Sequence, residues 1–175
     1  KISNFTDLAP LEATDGIDVR YITSPGEMGH PDLIVIPGTK STIADLKWMR
    51  SSGIEAVIKK LSSSGTPVIG ICGGYQMLGE KITDPEGAEG GGSIRGMELL
   101  PVVTEFQHEK HRTRTSGNFL EVSGIFSSLT GQPLTGYEIH MGRTILQGNG
   151  VPLIKLENGQ LMGCQKRNVY GSYLH

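Results

Sequence analysis

The chain has 175 residues, 37% of them hydrophobic, and its 16 basic and 18 acidic side chains leave a net charge of −2. That is enough chain for one domain with its own core, and its flat charge excludes a nucleic-acid binder led by phosphate neutralisation. No apolar run approaches the ~18 residues of a membrane span, and no signal-peptide pattern opens the chain.

In chain order, Ile17 to Ile22 (IDVRYI) alternates apolar and polar, which predicts a half-buried strand. Asp32 to Pro37 (DLIVIP) is a continuous apolar run ending at Pro-Gly, as a strand buried on both faces ends. From Ser41 to Ser64 the apolar spacing turns helical, with Gly53 dividing two pieces. Pro67 to Ile71 (PVIGI) predicts another buried strand, and Gly73 to Leu78 opens a helix. This alternation is the mark of a parallel α/β sheet. Thr83 to Gly96 (TDPEGAEGGGSIRG) reads as a glycine-rich polar loop. Strand-like pieces follow at Leu99–Phe106, Asn118–Val122, Tyr137–Leu146, Leu153–Leu156 and Val169–Leu174, with Asn158-Gly159 a tight-turn signal. The expected whole is one mixed sheet flanked by helices. A start at Lys1 rather than Met predicts that residues 1–175 are a single domain cut from a longer chain.

Gly70-Ile71-Cys72-Gly73-Gly74 stands between a predicted strand and a predicted helix. That is the G-x-nucleophile-x-G elbow, where a sharp turn lifts one side chain above the sheet and only small flanking residues fit. Cysteine is intrinsically nucleophilic, and a helix N-terminus is expected to lower its pKa. The Gly73 N–H then faces a developing oxyanion. The bland alternative is a small buried hydrophobe at a strand end, but strand, helix and the Pro37-Gly38-Thr39 turn together favour the catalytic one. Cys164, in the apolar stretch Leu161 to Gln165, reads as core. Two cysteines so far apart make no disulfide scaffold and fit a soluble, cytoplasmic setting.

A thiol needs a base. His108 and His111 lie in the polar run EFQHEKHRTR, which reads as a solvated loop, with a metal trio of Glu105, His108 and His111 as the lesser alternative. His30 precedes a loop proline. His140 and His175 both end up on strand-like segments and either could reach a site above the sheet, with His175 favoured at the end of its strand. Gly38 to Thr42 imitates a phosphate loop, but its lysine does not directly follow the glycine. Gly90 to Gly92 lacks dinucleotide spacing, so no nucleotide site is expected.

Taken together, these segments resemble the class I glutamine amidotransferases, and among them the C-terminal glutaminase domain of the cobyric acid synthases. The landmarks are ISNFTD (Ile2–Asp7), PGTKSTIADL (Pro37–Leu46), GICGGYQMLG (Gly70–Gly79), the DP-x-G-x-E loop (Asp84–Glu89), GYEIHMGRT (Gly136–Thr144) and YGSYLH (Tyr170–His175). One mild departure is GMELLP at Gly96–Pro101, where the family shows GLGLLP.

The resemblance implies a flavodoxin-like mixed sheet and a γ-glutamyl thioester at Cys72, with His175 as acid and base. It implies an oxyanion hole from Gly73 and the Gly38-Thr39 turn, with Thr39 and Gln76 as contacts to glutamine. Many relatives orient the histidine with a glutamate two residues beyond it, a position past the end of this chain, so Glu138 or a partner group stand as guesses. No cofactor or metal is expected in this domain. An N-terminal, ATP- and magnesium-dependent synthetase half resembling dethiobiotin synthetase is the implied partner. It would use the ammonia to amidate a corrinoid, adenosylcobyrinic acid a,c-diamide, at four carboxylates. The rivals are the glutaminase subunit of a lipid II amidotransferase, a silent interaction module of the same fold, and a cysteine hydrolase acting on another substrate.

Overall fold

The two continuous apolar runs, DLIVIP and PVIGI, have no polar face to offer water, and they become neighbouring strands of a covered sheet. The computed structural model describes residues 5–175, so residues 2–4 of the ISNFTD motif lie outside the described part. A 3-10 turn at Phe5–Asp7 leads into α1 (Ala9–Glu12). β1 (Ile34–Ile36) and β2 (Val68–Ile71) pair in parallel, Ile34 opposite Val68. The crossover between them is α2 (Thr42–Ser52) and α3 (Ile54–Ser63), divided at Gly53, whose φ of +85° is a left-handed helix stop that favours glycine. Leu46, Met49, Ile54 and Ile58 turn inward from these helices. α4 (Gly73–Leu78) follows β2 and is buried along its whole length.

The chain then builds a second sheet before returning to the first. β3 (Lys81–Asp84) pairs antiparallel with β4 (Gly92–Arg95) and parallel with β5 (Val102–Phe119). β5 and β6 (Pro133–Leu146) form a long antiparallel ribbon, and β7 (Ile154–Leu156) and β8 (Leu161–Met162) extend the sheet on its other side. β9 (Cys164–Lys166) and β10 (Val169–Ser172) complete the first sheet in the order β1-β2-β10-β9, with β10 parallel to β2. One apolar core joins the sheets: Leu46, Val68 and Leu78 from one side meet Ile82, Met97 and Phe106 from the other.

The α/β class and the helix-flanked mixed sheets agree with expectation, as do the break at Gly53 and the Asn158-Gly159 turn between β7 and β8. Four details differ. There are two sheets rather than one, because β3 to β8 pair among themselves. Residues 17–22 form no strand among the described residues. Ile17 and Tyr21 stay largely exposed there, so the alternation has no covered face behind it. The glycine-rich stretch is a hairpin of β3 and β4, because the buried Asp84 carboxylate accepts N–H bonds from Ala88, Glu89 and Gly91 and fixes the turn. EFQHEKHRTR lies within β5 instead of a loop. Its backbone is paired to β6 apart from an irregularity between Glu105 and Lys110.

Candidate active site

Cys72 makes the entire turn from β2 to α4, with φ 53° and ψ −110°. A non-glycine residue in that region costs of order 1–3 kcal/mol and persists only where its surroundings hold it. The Cys72 N–H donates to the Ser172 carbonyl at 2.9 Å, and the Cys72 carbonyl accepts the Gln76 N–H at 3.1 Å. The flanking glycines are steric necessities. A Cβ on Gly74 would run into the Ile36 carbonyl, and one on Gly70 would stand 2.8 Å from the Gly74 carbonyl oxygen. The elbow read from the sequence is present.

Its electrostatics differ from expectation. Burial pushes the Cys72 thiol up to about 11, against the Gly73 N–H, which favours the thiolate; the Asp7 carboxylate adds to the rise. A six-residue helix does not offset the loss of water. The resting thiol is therefore protonated at neutral pH and donates to the Ile139 carbonyl of β6, 3.4 Å away. Activation has to come from a base.

His175 follows the end of β10, the strand beside β2. Its Nδ1 lies 2.8 Å from Asp7 Oδ2, with the two side chains 5% and 6% exposed. Tyr137 of β6 exchanges both backbone hydrogen bonds with His175 and stacks on its ring, centroids 5.2 Å apart. The imidazole is thus fixed by a carboxylate at one nitrogen and an aromatic face. His140 is committed elsewhere: Nδ1 lies 3.0 Å from the Gly142 carbonyl, Nε2 lies 3.0 Å from Glu138, and the ring stacks on Tyr173. Glu138 accordingly serves His140, and the carboxylate at His175 is Asp7. Sequence reasoning missed Asp7, although it closes the quoted ISNFTD motif; its one charge in that segment was the available signal.

Gly38 is buried beside the elbow, and a Cβ on Gly73 would stand 3.1 Å from the Thr39 nitrogen. The two predicted oxyanion donors are therefore neighbours. The Thr39 hydroxyl donates to Asp45 and accepts the Ser41 N–H. Gln76 is buried below the nucleophile. Its carbonyl accepts the Thr42 hydroxyl, while its amide donates to the Met141 carbonyl and the Tyr173 hydroxyl. Cys164 is wholly buried in β9. His108 is tied to Glu86 and His111 stacks on His140. Among the described residues no group of three His, Cys, Asp or Glu side chains is placed to hold a metal.

An open cleft of about 560 Å³ is lined by Arg112 and Arg114 of β5, by Tyr137 of β6, which stacks on His175, and by Ile139 of β6, whose carbonyl meets Cys72. The register sets Arg112 opposite Ile139 and Arg114 opposite Tyr137, so the four share one face of the ribbon. Neither arginine has an ion pair among the described residues. Their charge meets the cleft two residues apart, beside the contacts of Cys72 and His175. No helix among the described residues is long and apolar enough to cross a membrane.

The chain is similar to known proteins along its whole length. The CobB/CobQ-like glutamine amidotransferase domain family matches residues 1–175. Cobyric acid synthase of Ruminiclostridium cellulolyticum is 49% identical over 182 residues, covering 100% of this chain and 35% of that protein. Cobyric acid synthases of Lachnoclostridium phytofermentans and Moorella thermoacetica are 44% and 42% identical, covering 100% and 99% of this chain. The chain spans only 35% to 37% of the length of these relatives. Among solved structures, PurLQS from Thermotoga maritima superposes with a TM-score of 0.74 at 17% identity, over 97% of this chain and 79% of that one. A crystal structure of a glutamine amidotransferase gives 0.63 at 19% identity, over 97% and 82%. At such identities the structural likeness establishes the fold alone, and that fold is the class I amidotransferase one.

Proposed function

The chain belongs to the CobB/CobQ-like glutamine amidotransferase domain family, and from that membership we propose that it hydrolyses glutamine through a thioester at Cys72. The observation that carries this reading is a cysteine held at positive φ after β2 together with a histidine, clamped by Asp7, that follows the adjacent parallel strand β10. Asp7 accepts the His175 Nδ1–H, which leaves Nε2 unprotonated and able to take the thiol proton from Cys72. The thiolate attacks the side-chain amide carbon of glutamine. The N–H groups of Gly73 and of the Gly38-Thr39 turn donate hydrogen bonds to the oxyanion. His175 returns its proton to the leaving ammonia, then activates the water that hydrolyses the thioester and regenerates the thiol.

Glutamine enters by the cleft on the ribbon, where Arg112 and Arg114 offer guanidinium groups that can pair in bidentate fashion with an α-carboxylate. Gln76 and Thr39 act from beneath the site, by holding Tyr173 and the oxyanion turn. The domain needs no cofactor of its own. ATP and magnesium belong to a synthetase part carried by the longer relatives, which receives the ammonia and amidates a corrinoid, adenosylcobyrinic acid a,c-diamide, on the way to cobyric acid. The support for this last step is the likeness to cobyric acid synthases, including full coverage of this chain at 49% identity.

The test is thioester trapping with glutamine, together with Cys72→Ala in the protein at its natural length. Loss of glutamine-dependent turnover with ammonia-dependent turnover intact is the expected result. A wild-type protein that traps no thioester overturns the reading.

A further inference from the structure

The loop between β3 and β4 takes no part in the chemistry above, yet it is built with care. Asp84, fully buried, accepts N–H bonds from Ala88 at 2.8 Å, Glu89 at 2.7 Å and Gly91 at 2.8 Å. Burial works to raise its pKa, but these donors outweigh it and hold the carboxyl below the usual range. The turn so fixed presents Glu89, whose Oε2 accepts the Ile43 N–H at 2.9 Å, 46 residues back along the chain.

Ile43 is the second residue of α2, whose N-cap, Ser41, makes no side-chain cap. Glu89 therefore does the capping from another loop, where a carboxylate is also favoured by the helix dipole. The residues leading into α2 are the Gly38-Thr39 turn, whose Thr39 nitrogen neighbours Gly73. Inside that turn two side-chain hydrogen bonds are local, Thr39 to Asp45 and the Ser41 N–H to Thr39. Both bind the turn to its own helix. Two bonds tie the first turn of that helix to distant parts of the chain: the Thr42 hydroxyl donates to Gln76 of α4 at 3.3 Å, and the Ile43 backbone N–H donates to Glu89.

We infer that Glu89 is a positioning residue, whose carboxylate sets the start of α2 and through it the second oxyanion donor. The inference rests on the Cys72 thioester reading above. An oxyanion donor is effective only within a few tenths of an ångström of its place, and losing one costs about 10²–10³ in kcat. A loosened donor falls short of that full loss.

The experiment compares Glu89→Ala and Glu89→Gln with wild type in the protein at its natural length. Glu89→Ala is expected to lower kcat for glutamine hydrolysis about 10-fold with KM within two-fold. Its rate of Cys72 alkylation by iodoacetamide should stay within two-fold of wild type, because alkylation forms no oxyanion. Glu89→Gln keeps an oxygen for the Ile43 N–H and should recover at least half of the wild-type kcat. If the alanine variant does not fold, Glu89→Asp, too short to reach Ile43, replaces it with the same expectation. Wild-type kcat in the alanine or aspartate variant overturns the inference. So does an equal loss in the glutamine variant, or a parallel fall in alkylation. Failure of wild-type protein to trap a thioester instead removes the premise.

Discussion

The elbow sheet and the β5–β6 ribbon divide the work of the site unequally. The sheet of β1, β2, β10 and β9 is covered by helices, and Cys72 and His175 follow the ends of its neighbouring parallel strands β2 and β10. The ribbon is mostly wet on both faces, yet one of its carbonyls accepts a hydrogen bond from the Cys72 thiol and its Tyr137 covers His175. A buried sheet can hold a nucleophile at strained backbone angles, because packing over-determines it. A wet ribbon can hold charged groups such as Arg112 and Arg114 at little desolvation cost. In the proposed reaction the chemistry thus belongs to one region and access to the other.

The largest effect is expected on the sheet side. Asp7→Asn replaces the carboxylate at His175 Nδ1 and removes the reason for that proton to sit there. Glutamine hydrolysis should fall about 10²–10⁴-fold in kcat. Cys72 alkylation at neutral pH should not fall, because the Asp7 charge raises the Cys72 pKa and its removal relieves that. A parallel loss of alkylation would mean that the variant has only disturbed the fold.

The ribbon side should respond in KM instead. Arg112→Ala and Arg114→Ala, singly, are each expected to raise KM for glutamine about 10-fold, with kcat within three-fold, the usual size for a hydrogen bond to a charged group. If both variants bind glutamine normally, the cleft is not its entrance and the division between chemistry and access fails.

The same division governs what could be read from sequence. DLIVIP, the Gly53 break and GICGG declare themselves because burial on both faces and a tight turn each leave a local mark. The ribbon leaves none: a polar two-stranded arm carries neither the alternation of a half-buried strand nor an apolar run, so EFQHEKHRTR reads as a loop. Asp7 was quoted within a motif, but its partner is 168 positions away. No periodicity reports a contact between the two ends of a chain. The Cys72 pKa was misjudged for a related reason, since the helix start is visible in sequence and the depth of burial is not.

That burial yields a prediction in pH. Resting Cys72 should be alkylated slowly at pH 7–8, with the rate rising about 10-fold per unit toward a midpoint at about 11, in place of the ordinary 9.0. The sign for stability follows. The unfolded thiol ionises first, so the contribution is complete below pH 9 and is lost as pH rises to about 11. A midpoint below 8 would show that the thiol is not held as described.

The smallest effect should come from the other cysteine, and it separates backbone from electrostatics. Cys164 is buried too, and burial pushes its thiol to about 11 as well. By ionisation alone the two are indistinguishable. They differ in that Cys164 lies in the regular pairing of β9 with β10, whereas Cys72 stands on the turn at φ 53°. Cys164→Ala should leave kcat and KM within two-fold while costing about 1 kcal/mol in denaturant unfolding, the worth of one small buried group. A large loss of activity with unchanged stability would place Cys164 in the site. The predicted outcome would show that what makes a nucleophile here is the turn and the histidine beside it, since both thiols are equally hard to ionise.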